Sequence, residues 1–86
     1  MTTLPPPATR WRPRLASGGP RYLALVDAIA EGVANGQLHR GDRLPTQRQL
    51  ARMLDLNLAT VTRGIAEAER RGLVQAQQGR GTFVAE

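Results

Sequence analysis

Neither cysteine nor lysine occurs in this 86-residue chain, and its single histidine is His39. The first absence removes disulfides and thiolate metal ligands. The second removes the amine nucleophile and Schiff-base former, and a lone histidine cannot assemble a metal cluster or a nucleophile–base pair. No G-K-[ST] phosphate loop is present either, so no enzyme is expected. Aromatics are scarce, limited to Trp11, Tyr22 and Phe83, which argues against a surface that stacks unpaired bases. No apolar run approaches a membrane span or a signal-peptide core, and a cytoplasmic location is expected. His39, in L-H-R-G-D between Gly36 and Gly41, reads as a loop residue.

What the chain has in quantity is arginine. Twelve arginines against seven acidic residues give a formal net charge of +5 and a pI of about 11.5. Arginine grips phosphate with two parallel N–H groups and does not deprotonate, so this surplus points to a polyanion.

Five of the six prolines fall in residues 1–20, M-T-T-L-P-P-P-A-T-R-W-R-P-R-L-A-S-G-G-P, a stretch that cannot hold a helix or a central strand. Residues 1–19 are therefore expected to form a flexible Pro/Arg-rich arm. Its Arg10, Trp11, Arg12 and Arg14 could dock on the domain, follow a minor groove, or stay disordered. The folded unit is expected over residues 20–86, near the lower size limit for independent folding.

Tyr22, Leu25, Val26, Ile29 and Val33 recur at helical spacing, and Asn35-Gly36 supplies a stop. R-G-D-R-L-P at 40–45 reads as a turn leading into a short extended piece, since Leu44 precedes a proline. Thr46-x-x-Gln49 is a capping box for a second, short helix buried through Leu50, Ala51 and Leu54. Asn57 can cap a third helix from about Leu58 to Arg71, closed by Gly72. L-V-Q-A-Q-Q and T-F-V-A around G-R-G then read as a hairpin. The predicted fold is mostly α with a small β-hairpin: a winged helix-turn-helix of three helices, a short strand and a C-terminal wing. Asp55 stands where a left-handed residue is needed between the second and third helices, a conformation that Asp tolerates.

At about 100° per residue, Val61, Ile65, Ala68 and Gly72 share the inward sector of the third helix, with Leu58 at its border. Ala59, Arg63, Ala66 and Arg70 lie opposite, with Thr60 and Thr62 on the flanks. Arginines separated by small residues let a helix backbone approach a groove while the cations reach base edges or phosphates. Arg63 is the residue expected to read a base, most naturally guanine. Arg48 and, less strongly, Arg52 on the second helix and the Asn57 amide are candidate phosphate contacts. Arg80, between Gly79 and Gly81, is expected at the tip of a wing whose glycines let a sugar-phosphate backbone come close.

G-D-R-L-P-T-Q-R-Q-L-A, T-V-T-R-G-I-A-E-A-E-R-R-G-L-V and G-R-G-T-F-V together resemble the amino-terminal winged helix-turn-helix of the GntR family of bacterial transcription regulators, from about Pro20 to Val84. The resemblance implies DNA contacts at Arg48, Asn57, Ala59, Thr60, Thr62, Gln78 and Gly79; arginine often stands in the family where this chain has Leu58. L-P-T-Q-R-Q-L-A and the Trp-containing arm look most like the MocR subgroup, which fuses this domain to an aminotransferase-like domain that binds pyridoxal phosphate. Lacking lysine, this chain cannot form that Schiff base itself. The implied cofactor would belong to a fused C-terminal domain, and the chain is expected to be the DNA-binding part of a longer regulator. The expected partner is a double-stranded operator, one half-site per copy and two copies together. The alternative is a winged helix that binds protein or RNA, which would usually present an apolar patch or stacking aromatics.

Overall fold

Local signals set the helix ends. Thr46 Oγ1 accepts from the Gln49 backbone N–H at 3.1 Å while Gln49 Oε1 accepts from the Thr46 N–H at 2.8 Å, so the capping box closes in both directions. Asn57 Oδ1 caps the next helix by accepting from the Ala59 N–H at 2.8 Å. The computed structural model describes Trp11 and residues 13–86. In it α1 spans Arg21–Ala34, α2 Gln47–Leu54 and α3 Leu58–Arg70, followed by antiparallel strands β1, Val74–Gln77, and β2, Gly81–Val84. This is the expected order of three helices and a wing. The short extended piece before α2 contributes one bridge, Arg43 to Phe83, rather than a full strand.

The link between α2 and α3 turns on Asp55, at φ 53° and ψ 50°. Its N–H reaches the Arg52 carbonyl, and the Leu56 N–H reaches back to Ala51 at 2.9 Å, the paired bonds of a left-handed helix stop. α3 ends the same way, with Gly72 at φ +79° and the Leu73 N–H bonded to the Ala68 carbonyl at 2.9 Å.

The core gathers Leu25, Val26 and Ile29 of α1, Leu50 of α2, and Val61, Ile65 and Ala68 of α3, closed by Leu38, Leu44, Val74 and Val84. α1 and α3 cross at Gly64, where an added Cβ would lie 2.8 Å from Leu25 Cδ2 and 3.1 Å from the Tyr22 carbonyl oxygen. No larger residue lets the two backbones meet this closely. The hairpin is fastened to the body on both edges. Leu44 N–H bonds the Thr82 carbonyl and Val84 N–H the Asp42 carbonyl, each at 2.8 Å. On the free edge of β1, Glu69 Oε2 takes the Ala76 N–H at 3.0 Å.

The expected flexible arm, residues 1–19, is tied to the domain at one point: Trp11 is 1% exposed and belongs to the core, and Leu15 packs against that core. The physical reason is a slot on α1: at Gly32 an added Cβ would stand 2.7 Å from Trp11 Nε1 and 2.9 Å from a Leu38 methyl. Arg14 is exposed, and Arg10 and Arg12 lie outside the described residues. Trp11→Ala should therefore lower the unfolding free energy by about 3–5 kcal/mol. A denaturant melt checks this, and an unchanged midpoint would remove the indole from the core.

Candidate nucleic-acid interface

α3 buries Val61, Gly64, Ile65 and Ala68. That fixes its opposite side, and Ala59, Thr62, Arg63, Ala66 and Arg70 are all exposed, with Thr60 half-buried on the flank. Leu58 departs from its expected place at the border of the inward face: it is 41% exposed and lines a shallow cleft of about 350 Å³ with Arg48, Ala51 and Arg52. It opens α3 immediately after the turn, where its neighbours cover it only in part.

The two outer arginines of α3 have different fates. Arg63 holds its guanidinium carbon 4.0 Å from the centre of the Tyr22 ring, a cation–π contact, and among the described residues it makes no ion pair with a carboxylate. Arg70, expected beside it as a second free cation, is instead clamped. Its Nε and a terminal nitrogen donate to the two oxygens of Glu67 at 2.9 and 2.6 Å, and Arg71 Nε adds a bond at 2.8 Å. The pairing follows from i,i+3 and i,i+4 spacing on one helix. The hydrogen bond from Arg70, then that from Arg71, hold the Glu67 carboxyl at about 2, well below its ordinary 4.5. The same bond raises the Arg70 pKa.

Beside α3, the amino end of α2 joins it to the wing. Thr62 Oγ1 donates to Gln47 Oε1 at 2.6 Å. Gln47 also lines a cleft of about 430 Å³ with Arg43, Thr46, Gln78, Gly79 and Arg80. Arg48, the next residue, opens onto the shallow cleft by Leu58. Gln47 carries no motif that would single it out in the sequence; only the fold brings it to Thr62. Asn57 uses its oxygen as a cap and keeps its amide protons as donors.

At the wing tip Gln78, Gly79, Arg80 and Gly81 are exposed. The Arg80 N–H bonds the Gln77 carbonyl at 2.9 Å, and Gly79 occupies the left-handed position of that turn at φ +76°. An added Cβ at Gly79 would meet nothing within 4 Å. The glycine is required by its backbone angle and not by packing within the chain, and the space around it is open to a partner. The structure therefore brings Arg48, Asn57, Ala59, Thr62 and Arg63 to the exposed side of the helix pair. Gln78 to Gly81 flank it, Thr60 is partly covered, and Arg70 is engaged by Glu67, which it shares with Arg71. Among the described residues no group of three or more His, Cys, Asp or Glu is placed to hold a metal, and no helix is long and apolar enough to cross a membrane.

Comparison with known proteins fits this geometry. The family model described as bacterial regulatory proteins, gntR family, matches residues 21–84. The HTH-type transcriptional regulator YdeF of Bacillus subtilis (strain 168) is 40% identical over 76 residues, which cover 87% of this chain but only 16% of YdeF. Among solved structures, YtrA from Sulfolobus acidocaldarius, a GntR-family transcription factor, superposes with a TM-score of 0.78 at 33% identity. That match covers 91% of this chain and 82% of the other. The DNA-binding domain of AraR in complex with its operator ORE1 gives a TM-score of 0.75 at 27% identity, covering 85% and 92% of the two chains.

The clamp has a pH signature. Glu67 is held below its unfolded value, so its contribution to stability is complete above 4.5 and disappears as pH falls through about 2. The pair faces solvent, which keeps that contribution small. In a carboxyl-detected NMR titration, Glu67 should still be ionised near pH 3.5, where an ordinary glutamate is mostly protonated. Protonation of Glu67 together with the other glutamates would rule the clamp out in solution.

Proposed function

Because the chain belongs to the GntR family of bacterial regulatory proteins, we propose that it is the DNA-reading module of a transcription regulator. α3 enters the major groove of a double-stranded operator, and the wing lies at the adjacent backbone or minor groove. The observation that carries this reading is the outer face of α3: Arg63, which pairs with no carboxylate among the described residues, set between the small side chains of Ala59 and Ala66. Small flanks let the helix sink into the groove, and the long cation reaches a base edge, with guanine the natural partner for its forked donors. Arg48 and the Asn57 amide hold phosphates on either side of the turn, and Ala59, Thr60 and Thr62 line the groove. Gln78, Gly79, Arg80 and Gly81 meet the neighbouring strand. The kinship with an operator-bound AraR domain supports the same assignment.

Two copies acting on two half-sites would give the specificity that one module of this size lacks. The MocR-like motifs L-P-T-Q-R-Q-L-A and the Trp11 arm support a regulator whose other domain binds pyridoxal phosphate in the cytoplasm. This chain, without lysine, contributes only the DNA contacts.

Selection from a pool of randomised duplexes, followed by titration in rising salt, tests the proposal. An enriched sequence should appear, with affinity falling as log K against log salt at a slope of about −0.9 per phosphate neutralised. Arg63→Ala should cost about 1–3 kcal/mol and blur one position of that sequence, whereas Arg80→Ala should weaken binding evenly across sequences. If nothing is enriched and random duplex is ignored at low salt, the module binds protein or RNA instead.

A further inference from the structure

Arg63, Glu67 and Arg70 form one row along α3, four and three residues apart, so Glu67 is placed to pair with either arginine. Both of its oxygens are taken by Arg70 and Arg71. Arg63 makes no ion pair or hydrogen bond among the described residues, and its contact is the Tyr22 ring at 4.0 Å. Tyr22 is on α1, and its presence at this spot follows from the glycine crossing: its carbonyl oxygen lies 3.1 Å from the point where a Cβ on Gly64, the residue after Arg63, would stand.

We propose that Tyr22 is a positioning residue for Arg63, its ring holding the guanidinium on the outer face of α3 so that the base pair read by Arg63 is discriminated through a side chain of α1. The proposal rests on the reading of α3 as the recognition helix. A cation stacked on a ring engages through its flat face, which leaves the N–H groups around its edge available. A carboxylate in the same place would consume those donors and cancel the charge. An arginine loses substantial rotamer freedom when it is fixed, and one held in advance loses less on binding. The contact thus favours the bound conformation without competing for the ligand. The row is divided accordingly: Glu67 engages the two arginines at the end of the helix and offsets one of their two charges, and Tyr22 steadies the one at its middle while leaving its charge intact.

The test is a double-mutant cycle on the full chain. The enriched duplex and a duplex changed at the base pair blurred by Arg63→Ala are compared for Tyr22→Leu, Tyr22→Phe, Arg63→Ala and the Leu/Ala double variant. Tyr22→Leu should reduce discrimination at that base pair about three- to tenfold. It should have no further effect in the Arg63→Ala background, and Tyr22→Phe should behave as the parent. In the free protein, the ring-current shift of the Arg63 Nε proton should vanish in Tyr22→Leu and persist in Tyr22→Phe. An equal loss from Tyr22→Leu in both backgrounds, or a loss that is the same on every duplex, overturns the proposal. Should Tyr22→Leu fail to fold, progressively fluorinated phenylalanines at position 22 keep the shape while weakening the ring's negative face. Discrimination should then fall stepwise, and a flat series overturns the proposal equally. Arg63→Ala separates the two levels of failure. If it blurs a position that Tyr22→Leu leaves sharp, only the positioning role falls; if it blurs nothing, the reading of α3 falls with it.

Discussion

The close passage of α1 over α3 at Gly64 is the constraint from which the rest follows. Only a residue without a side chain admits the Leu25 methyl and the Tyr22 carbonyl at that distance. With that passage fixed, Val61, Ile65 and Ala68 are committed to the interior, and the rotation of α3 about its own axis is no longer free. Which residues look outward is then settled: Ala59, Thr62, Arg63 and Ala66 occupy the exposed side because the buried side has no other place to go. A surface of small residues around one arginine is therefore a product of core packing as much as of surface composition.

Electrostatics refines what packing sets out. A net charge of +5 says little about where positive potential lies. Along α3, Glu67 offsets one of the two charges of Arg70 and Arg71, whereas Arg63 has no ion pair among the described residues. Other cations that face outward include Arg48 and Arg52 on α2 and Arg80 on the wing. The charge pattern is thus spread over three elements, which suits contacts to different parts of a duplex better than a continuous basic stripe along one helix would.

The elements legible in the sequence are those whose causes are local. The capping box at Thr46 and Gln49 works across three residues, and it forms as expected. The left-handed Asp55 is required by the short turn on either side of it. The features that escape come from pairs distant in sequence. Trp11 meets Gly32 from outside the helices, and Thr62 meets Gln47 across fifteen positions. A signal was nevertheless present: Gly32 and Gly64 both sit inside helices, where glycine is unfavourable by about 1 kcal/mol relative to alanine. Each marks a close approach by another part of the chain. The Arg70 clamp was open to a sequence reading as well, since Glu67 lies three residues before Arg70 and four before Arg71, but a helical wheel sorts residues by direction and does not show competition among neighbours.

The segment leading into α2 and the second strand of the wing share hydrogen bonds, from the Val84 N–H to the Asp42 carbonyl and from the Leu44 N–H to the Thr82 carbonyl. Helix and ribbon are therefore joined like the jaws of one caliper. A duplex seated between such jaws has to supply the adjustment itself. Stiff, narrow-grooved tracts and soft pyrimidine–purine steps would then be sorted by the work of reshaping them, and base pairs that no side chain touches would enter the choice of site.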